Sequence, residues 1–248
     1  MTAGVRTAAT LGAVLVMALV PASVLAQTLS IDLGDRSGST TGHIVQLVAL
    51  MTVLSLAPSI VVMMTAFTRV VVVLHFVRQA VGTQSSPPNM VIAGLALFLT
   101  GFIMQPTLEK AYYDGVVPMM DGKIDEAEAF DRVVKPFHSF MLHNVRPSDV
   151  QLFLGISRTP ATVKPEDTPM KALVPAFIIS ELRRSFEIGF LIYVPFVVID
   201  MVIASVLMSM GMMMLPPAML ATPFKLIFFV LVDGWAMVAG SLSQSFAP

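Results

Sequence analysis

Between Ile188 and Met210 the chain runs for 23 residues with a single charge, Asp200. As a helix, a stretch of that length and apolarity crosses the ~30 Å hydrocarbon core of a bilayer, and helical backbone satisfies its own N–H and C=O groups there. Three further apolar stretches share the pattern: Ile44–Phe67 with its continuation past Arg69 to Phe76, Met90–Met104, and Ala218–Ala239. Composition agrees. The chain is 56% hydrophobic and 12% charged, with mean hydropathy +0.82, against roughly 25% charged residues in a soluble domain. The charge is also segregated, because 18 of 31 charged residues lie between Glu109 and Lys171. The expected class is all-α and membrane-associated: kinked helical hairpins with a small helical extracytoplasmic block.

Five segments follow from this patterning. Residues 1–26 read as a cleavable signal peptide, with Arg6 in a positive leader, an apolar core from Ala8 to Val20, Pro21 as a break and Val24-Leu25-Ala26 before the cut. That thirteen-residue core is short of the ~20 residues needed to anchor across a bilayer. Residues 27–43, carrying Gly34, Gly38 and Gly42, form a flexible extracytoplasmic lead. A first hairpin spans 44–105, with a kink predicted at Pro58 and a reversal at GTQSSPPN, 82–89. Its second arm, Met90–Met104, is only fifteen residues and marginal for crossing alone. Residues 106–171 form the extracytoplasmic block, in which Ile124, Phe130, Val133, Val134 and Phe137 recur at helical spacing and Ser148-Asp149 are placed to cap a helix after Pro147. A second hairpin, 172–248, opens amphipathically with Glu181, Arg183, Arg184 and Glu187, carries a predicted kink at Pro195, and turns at a Met-rich loop, 207–217. With an extracytoplasmic N-terminus the 78–89 turn faces the cytoplasm, and Arg69 and Arg78 stand near it without an acidic residue.

Few chemistries fit these residues. There is no Cys, so disulfides, thiolate metal sites and Cys nucleophiles are excluded. A net charge of −1 gives no electrostatic footprint for nucleic acid. DGKIDE at 121–126 faintly echoes a calcium loop, but Lys123 occupies a ligand position and Arg132 stands at the twelfth place. His138 and His143 are five apart, which does not stack two imidazoles on one helix face. Neither a phosphate-binding GxxxxGK[ST] loop nor a GxSxG elbow is present. The chain is read as a non-enzyme with no catalytic, cofactor or metal residues.

Two features do carry information. Met201, Met208, Met210, Met212, Met213, Met214 and Met219 fall within nineteen residues, and flexible, polarizable thioethers at a Gly- and Pro-marked bend make an adaptable apolar surface. The bland alternative is that they fill gaps in a helix pair. Asp200, Lys225 and Asp233 sit in apolar stretches, where each uncompensated charge costs about 2.5–3.5 kcal/mol at a membrane centre. Lys225 pairs with Asp200 or Asp233, within the hairpin or between copies, or the three snorkel to an interface. Ser205 with Ser209, and Ala236 with Gly240, are small residues four apart that permit close helix approach.

LSLAPSIVVMMTAFTRVVVVL at 54–74, GTQSSPPN at 82–89, GLALFLTGFIMQP at 94–106, PAFIISELRRSFEIGFLIYVPFVVIDMVIASVLMSMGMMML at 175–215 and FKLIFFVLVDGW at 224–235 resemble the FliP family of export-gate subunits in flagellar type III secretion. The resemblance covers most of 46–106 and 172–246. It implies a homo-oligomer joined by small Q-type and R-type subunits, a pentamer-like helical spiral around a channel for unfolded flagellar proteins. It also implies residence in the bacterial inner membrane at the flagellar basal body, with substantial periplasmic exposure and kinked hairpins largely above the membrane plane. The family's methionine gasket maps onto Met210, Met212, Met213 and Met214. A signal peptide and an extended central block resemble the flagellar branch more than the injectisome relatives. Two other classes share some of these features. A small-solute channel or transporter needs a polar site at broken helices, and a pure assembly scaffold turns Met212–Met214 toward neighbours.

Overall fold

A computed structural model describes residues 40–83, 85–158, 165–212 and 215–246. The expected signal peptide and nearly all of the lead lie outside these residues. The chain separates into two compact units, 1–53 and 54–248. Helix α1 (Thr40–Met63) begins in the first unit and ends in the second. Its described first-unit residues Val45, Val48 and Met51 are exposed. The predicted kink falls at Pro58, whose side chain is outside the described residues.

The second unit is a set of helices: α2 (Phe67–Val81), α3 (Asn89–Ala111), α4 (Val117–Met120), α5 (Glu126–Asn144), α6 (Pro147–Ile156), α7 (Met170–Ser209), α8 (Pro217–Leu231) and α9 (Gly234–Gln244). No strand occurs among the described residues. The α1–α2 break lies at Met64–Ala66, where the Thr65 hydroxyl donates to Val62 O at 2.8 Å. The reversal expected at 82–89 does separate α2 from α3, and Arg78 at the end of α2 braces it by donating to Pro87 O at 3.2 Å and Asn89 Oδ1 at 2.6 Å.

Hydropathy ends the second arm near Met104, but the helix does not stop there. From Asn89 it continues as 32 helical residues to Met120, passing Pro106 and a π-helical turn at Tyr112–Val116. The polar residues beyond Met104 keep helical backbone hydrogen bonds because α5 packs alongside them, a contact invisible to a hydropathy window. Asp125 caps α5, accepting from Glu128 N at 2.8 Å. The cap expected from Ser148-Asp149 is not formed. Instead Arg146 precedes Pro147 at the first helical position of α6, and buried Asp149 accepts from Ser180 Oγ of α7 at 2.7 Å.

Helix α7 is the organising element. Its 40 residues run through both Pro175 and Pro195, although each proline lacks the N–H that a helix interior uses. Helix α2 packs along it, α3 against α2, α6 and α5 against its first half, and α8 against its second. Val70, Val73, Leu74 and Val77 of α2 join Ile92, Ala96 and Met104 of α3, Phe196 of α7, Phe229 of α8 and Leu242 of α9 in one core. Met141, Val145, Leu173, Ala176 and Phe177 form a second, where the central block meets α7. Both cores lie inside the second unit.

Much apolar surface stays uncovered. Only 28% of the most apolar window of the Asn89–Met120 helix and 6% of that of α7 is buried. Phe98, Phe102, Phe190, Leu191 and Leu231 are all exposed. Both helices are long and apolar enough to cross a membrane, and α8 with α9 makes a further candidate, bent by 62°.

Candidate functional site: a methionine bend between charge-bearing helices

The turn from α7 to α8 is written into its residues. Met212 N donates to Leu207 O at 3.0 Å and Gly211 N to Met208 O at 3.1 Å, the paired bonds of a Schellman ending. Gly211 takes φ +73°, a left-handed conformation that costs glycine nothing. Pro216 and Pro217 then restart the chain as α8, with proline at a position whose N–H would be unpaired anyway.

This geometry presents thioethers outward. Met208, Met210, Met212 and Met219 are exposed, as are Leu215 and Leu220 beside them. Met213 and Met214 lie outside the described residues. Met201, one helical stretch earlier, is exposed too. The hairpin therefore offers a soft apolar tip that the other described residues leave uncovered.

Below the tip sits charge. Lys225 Nζ of α8 donates to Asp200 Oδ2 of α7 at 2.6 Å, and Lys225 is buried. The second oxygen, Asp200 Oδ1, is buried and has no hydrogen-bond partner among the described residues. A cavity of about 550 Å³ adjoins the pair, lined among others by Arg78, Tyr193 and Thr222. Asp233 is separate from this pair. It stands exposed at the α8–α9 bend with φ +50°, a left-handed conformation that Asp tolerates better than most residues. Edge-to-face contacts join the neighbouring helices: Phe196 of α7 meets Phe228 of α8 with centroids 6.0 Å apart, and Phe229 of α8 meets Trp235 of α9 at 5.3 Å.

A second charge cluster was not singled out from the sequence. Arg69 of α2 donates through Nε to Glu181 Oε2 of α7 at 2.7 Å and through Nη2 to Oε1, with both side chains fully buried. Its Nη1 donates to Ser245 O and Oγ, each at 3.0 Å. Its guanidinium carbon lies 3.6 Å from the centroid of the Phe246 ring. One arginine thus ties α2, α7 and the chain end together. Part of the signal was available, since Arg69 is a lone charge in an apolar run just as Asp200 is, whereas Glu181 stands among Arg183, Arg184 and Glu187 and does not stand out.

Two histidines lie against backbone carbonyls, and His143 is exposed on α5. His75 Nδ1 lies 2.8 Å from Val71 O, and His138 Nε2 lies 2.7 Å from Thr168 O. Among the described residues no group of three or more His, Asp or Glu is placed to hold a metal ion.

Apolar helices long enough to cross a bilayer, joined in hairpins and tied by internal ion pairs, define an all-helical membrane protein. Sequence comparison narrows the class. The model of the FliP family matches residues 50–242, and the chain belongs to that family. It is 54% identical over 235 residues to the flagellar biosynthetic protein FliP of Caulobacter vibrioides, covering 94% of this chain and 88% of the relative. It is 52% identical to the protein of the same name from Bacillus subtilis, covering 82% and 91%, and 46% identical to that of Rhizobium meliloti, covering 84% and 86%.

Proposed function

We propose that this chain is a flagellar biosynthesis protein acting as an export-gate subunit of the flagellar type III secretion apparatus. Copies of it assemble with small Q-type and R-type subunits in the bacterial inner membrane and, with substantial periplasmic exposure, enclose a conduit for unfolded flagellar proteins. The observation that carries this reading is the exposure of Met208, Met210, Met212 and Met219 at a tip held by a Gly-capped helix end and a double proline. A ring of such tips excludes water and so opposes ion passage. Rotamer freedom lets the same side chains reshape around whatever polypeptide passes. No bond is made or broken by the subunit, and the work of transport is supplied elsewhere.

Trimming Met212, Met213 and Met214 to Ala raises ion leakage through the assembled gate while assembly itself persists. The measurement is single-channel or liposome-flux conductance on wild-type and variant assemblies. Equal conductance in both would remove the gasket.

A further inference from the structure

A groove of about 420 Å³ runs along α3. At about 100° per residue, Phe98 and Phe102 stand on one side of it, Leu97 and Leu108 on the other, and Gly101 leaves a gap between. All four side chains are exposed. A Cβ on Gly101, or on Gly94 seven residues earlier, would meet nothing within 4 Å. Glycine weakens a helix interior relative to alanine, and here it lets no other helix of the subunit come closer. At one end of the groove Gln105 Nε2 donates to Glu109 Oε1 at 3.0 Å.

The same chain carries a face that fits. Along α7, Arg183, Phe190, Val194 and Val198 recur at helical spacing, and all are exposed. The Arg183 side chain makes neither an ion pair nor a hydrogen bond among the described residues. Direction agrees too. Arg69 meets Glu181 and Phe76 meets Phe186, so α2 runs parallel to α7, and the reversal at 82–89 makes α3 antiparallel to it. Copies arranged around a channel along these helices keep that sense, so a neighbour's α7 meets α3 antiparallel.

Charge and shape then set one register. Arg183 and Val198 are fifteen residues apart, as are Gly94 and Glu109. With Arg183 opposite Glu109, Val198 falls on Gly94 and the Phe190 ring reaches the gap at Gly101. Glu187, which lies 3.8 Å from Arg146 of its own copy, falls opposite Gln105, whose amide can donate to it. We propose that the α3 groove receives α7 of a second copy of this chain in this register, a head-to-tail contact repeated from copy to copy. The contact rests on the export-gate reading for the way copies are arranged, and it names the surfaces that meet in that assembly.

The chain has no Cys, so introduced thiols report single contacts. Gln105→Cys and Glu187→Cys chains with different tags are co-expressed, and the detergent-extracted assembly is mildly oxidised. A disulfide-linked dimer carrying both tags forms in the mixture and from neither variant alone, since the bond needs Cα atoms within about 7 Å. Gln105→Cys with Met201→Cys, fourteen residues beyond Glu187 and roughly 21 Å along the helix, gives none. Gly101→Leu fills the gap. Its helix content, read by circular dichroism, is unchanged, while the multimer seen by native mass spectrometry is lost. Arg183→Glu and Glu109→Arg each lower the multimer fraction at least about ten-fold, as like charges brought together do. Both together restore it, because each contact uses one of each residue.

A multimer that persists in Gly101→Leu without the 105–187 cross-link overturns this contact and leaves the export-gate reading standing. Loss of a co-purifying smaller subunit from Gly101→Leu, with the multimer of this chain intact, gives the groove to that subunit and overturns the contact as well. A wild-type chain that stays a monomer removes the reading and the contact together. Should Gly101→Leu fail to fold, the cross-link and the charge swap decide.

Discussion

Arg69 shows what a single ionisable residue does in a chain this apolar. Buried beyond water, its charge is tolerated because Glu181 takes two of its N–H groups, Ser245 takes a third and Phe246 covers its face. A buried pair is costly to break from one side, because the orphaned charge has lost its solvent as well as its partner. Arg69→Met and Glu181→Gln are each expected to lower stability by about 3–5 kcal/mol, while the double variant Arg69→Met/Glu181→Leu recovers a large part of that loss. Denaturant unfolding in detergent measures all three. Additive losses would mean that the two residues act independently. Sequence reasoning valued Arg69 only as a positive charge near a turn. Nothing local names its partner, which is 112 residues away.

At the scale of helices, charge and shape fix how α7, α8 and α9 meet. The sequence left Lys225 with a choice between Asp200 and Asp233. Tertiary structure places Asp200 beside it at 2.6 Å, whereas Asp233 serves the bend. Asp200→Lys is therefore expected to impair the protein, and adding Lys225→Asp to restore it in part, read as yield of folded protein and as motility. A defect that the second change leaves untouched would dismiss this pair. The bend has its own test. A Cβ on Gly234 would come within 2.2–2.6 Å of the Phe229 ring, so Gly234→Ala forces the ring or the bend to move. Overpacking of this kind costs roughly 1–3 kcal/mol. Thermal unfolding should show that loss, and Phe229→Leu should relieve it by removing the atoms in the way. No relief from Phe229→Leu would place the strain elsewhere.

For the molecule as a whole, the decisive fact is how little of its greasiest surface it covers. Exposed aromatic and aliphatic side chains run along α3, α7 and α8, and large exposed apolar surfaces mark contacts with membrane or partner proteins. Lipid and sister subunits are the available covers. Gentle detergent extraction is expected to yield a particle several times the 26.7 kDa chain, measured by native mass spectrometry. A stable lone monomer would defeat the oligomeric reading and the shared channel with it.

Local residue types were enough for the helical class, the α2–α3 reversal, the bend at 207–217 and the family, which depend on apolar run length, Gly and Pro punctuation, and contiguous motifs. They misplaced the end of α3, since helical backbone there is supported by a neighbour that hydropathy does not see. They passed over the Asp149–Ser180 bond, which forms across 31 residues. Which charge meets which, and the burial of Arg69 against Glu181 and Phe246, came from tertiary structure. Those outcomes depend on distances between elements, and electrostatic pairing in a dry interior is set by such distances rather than by order along the chain.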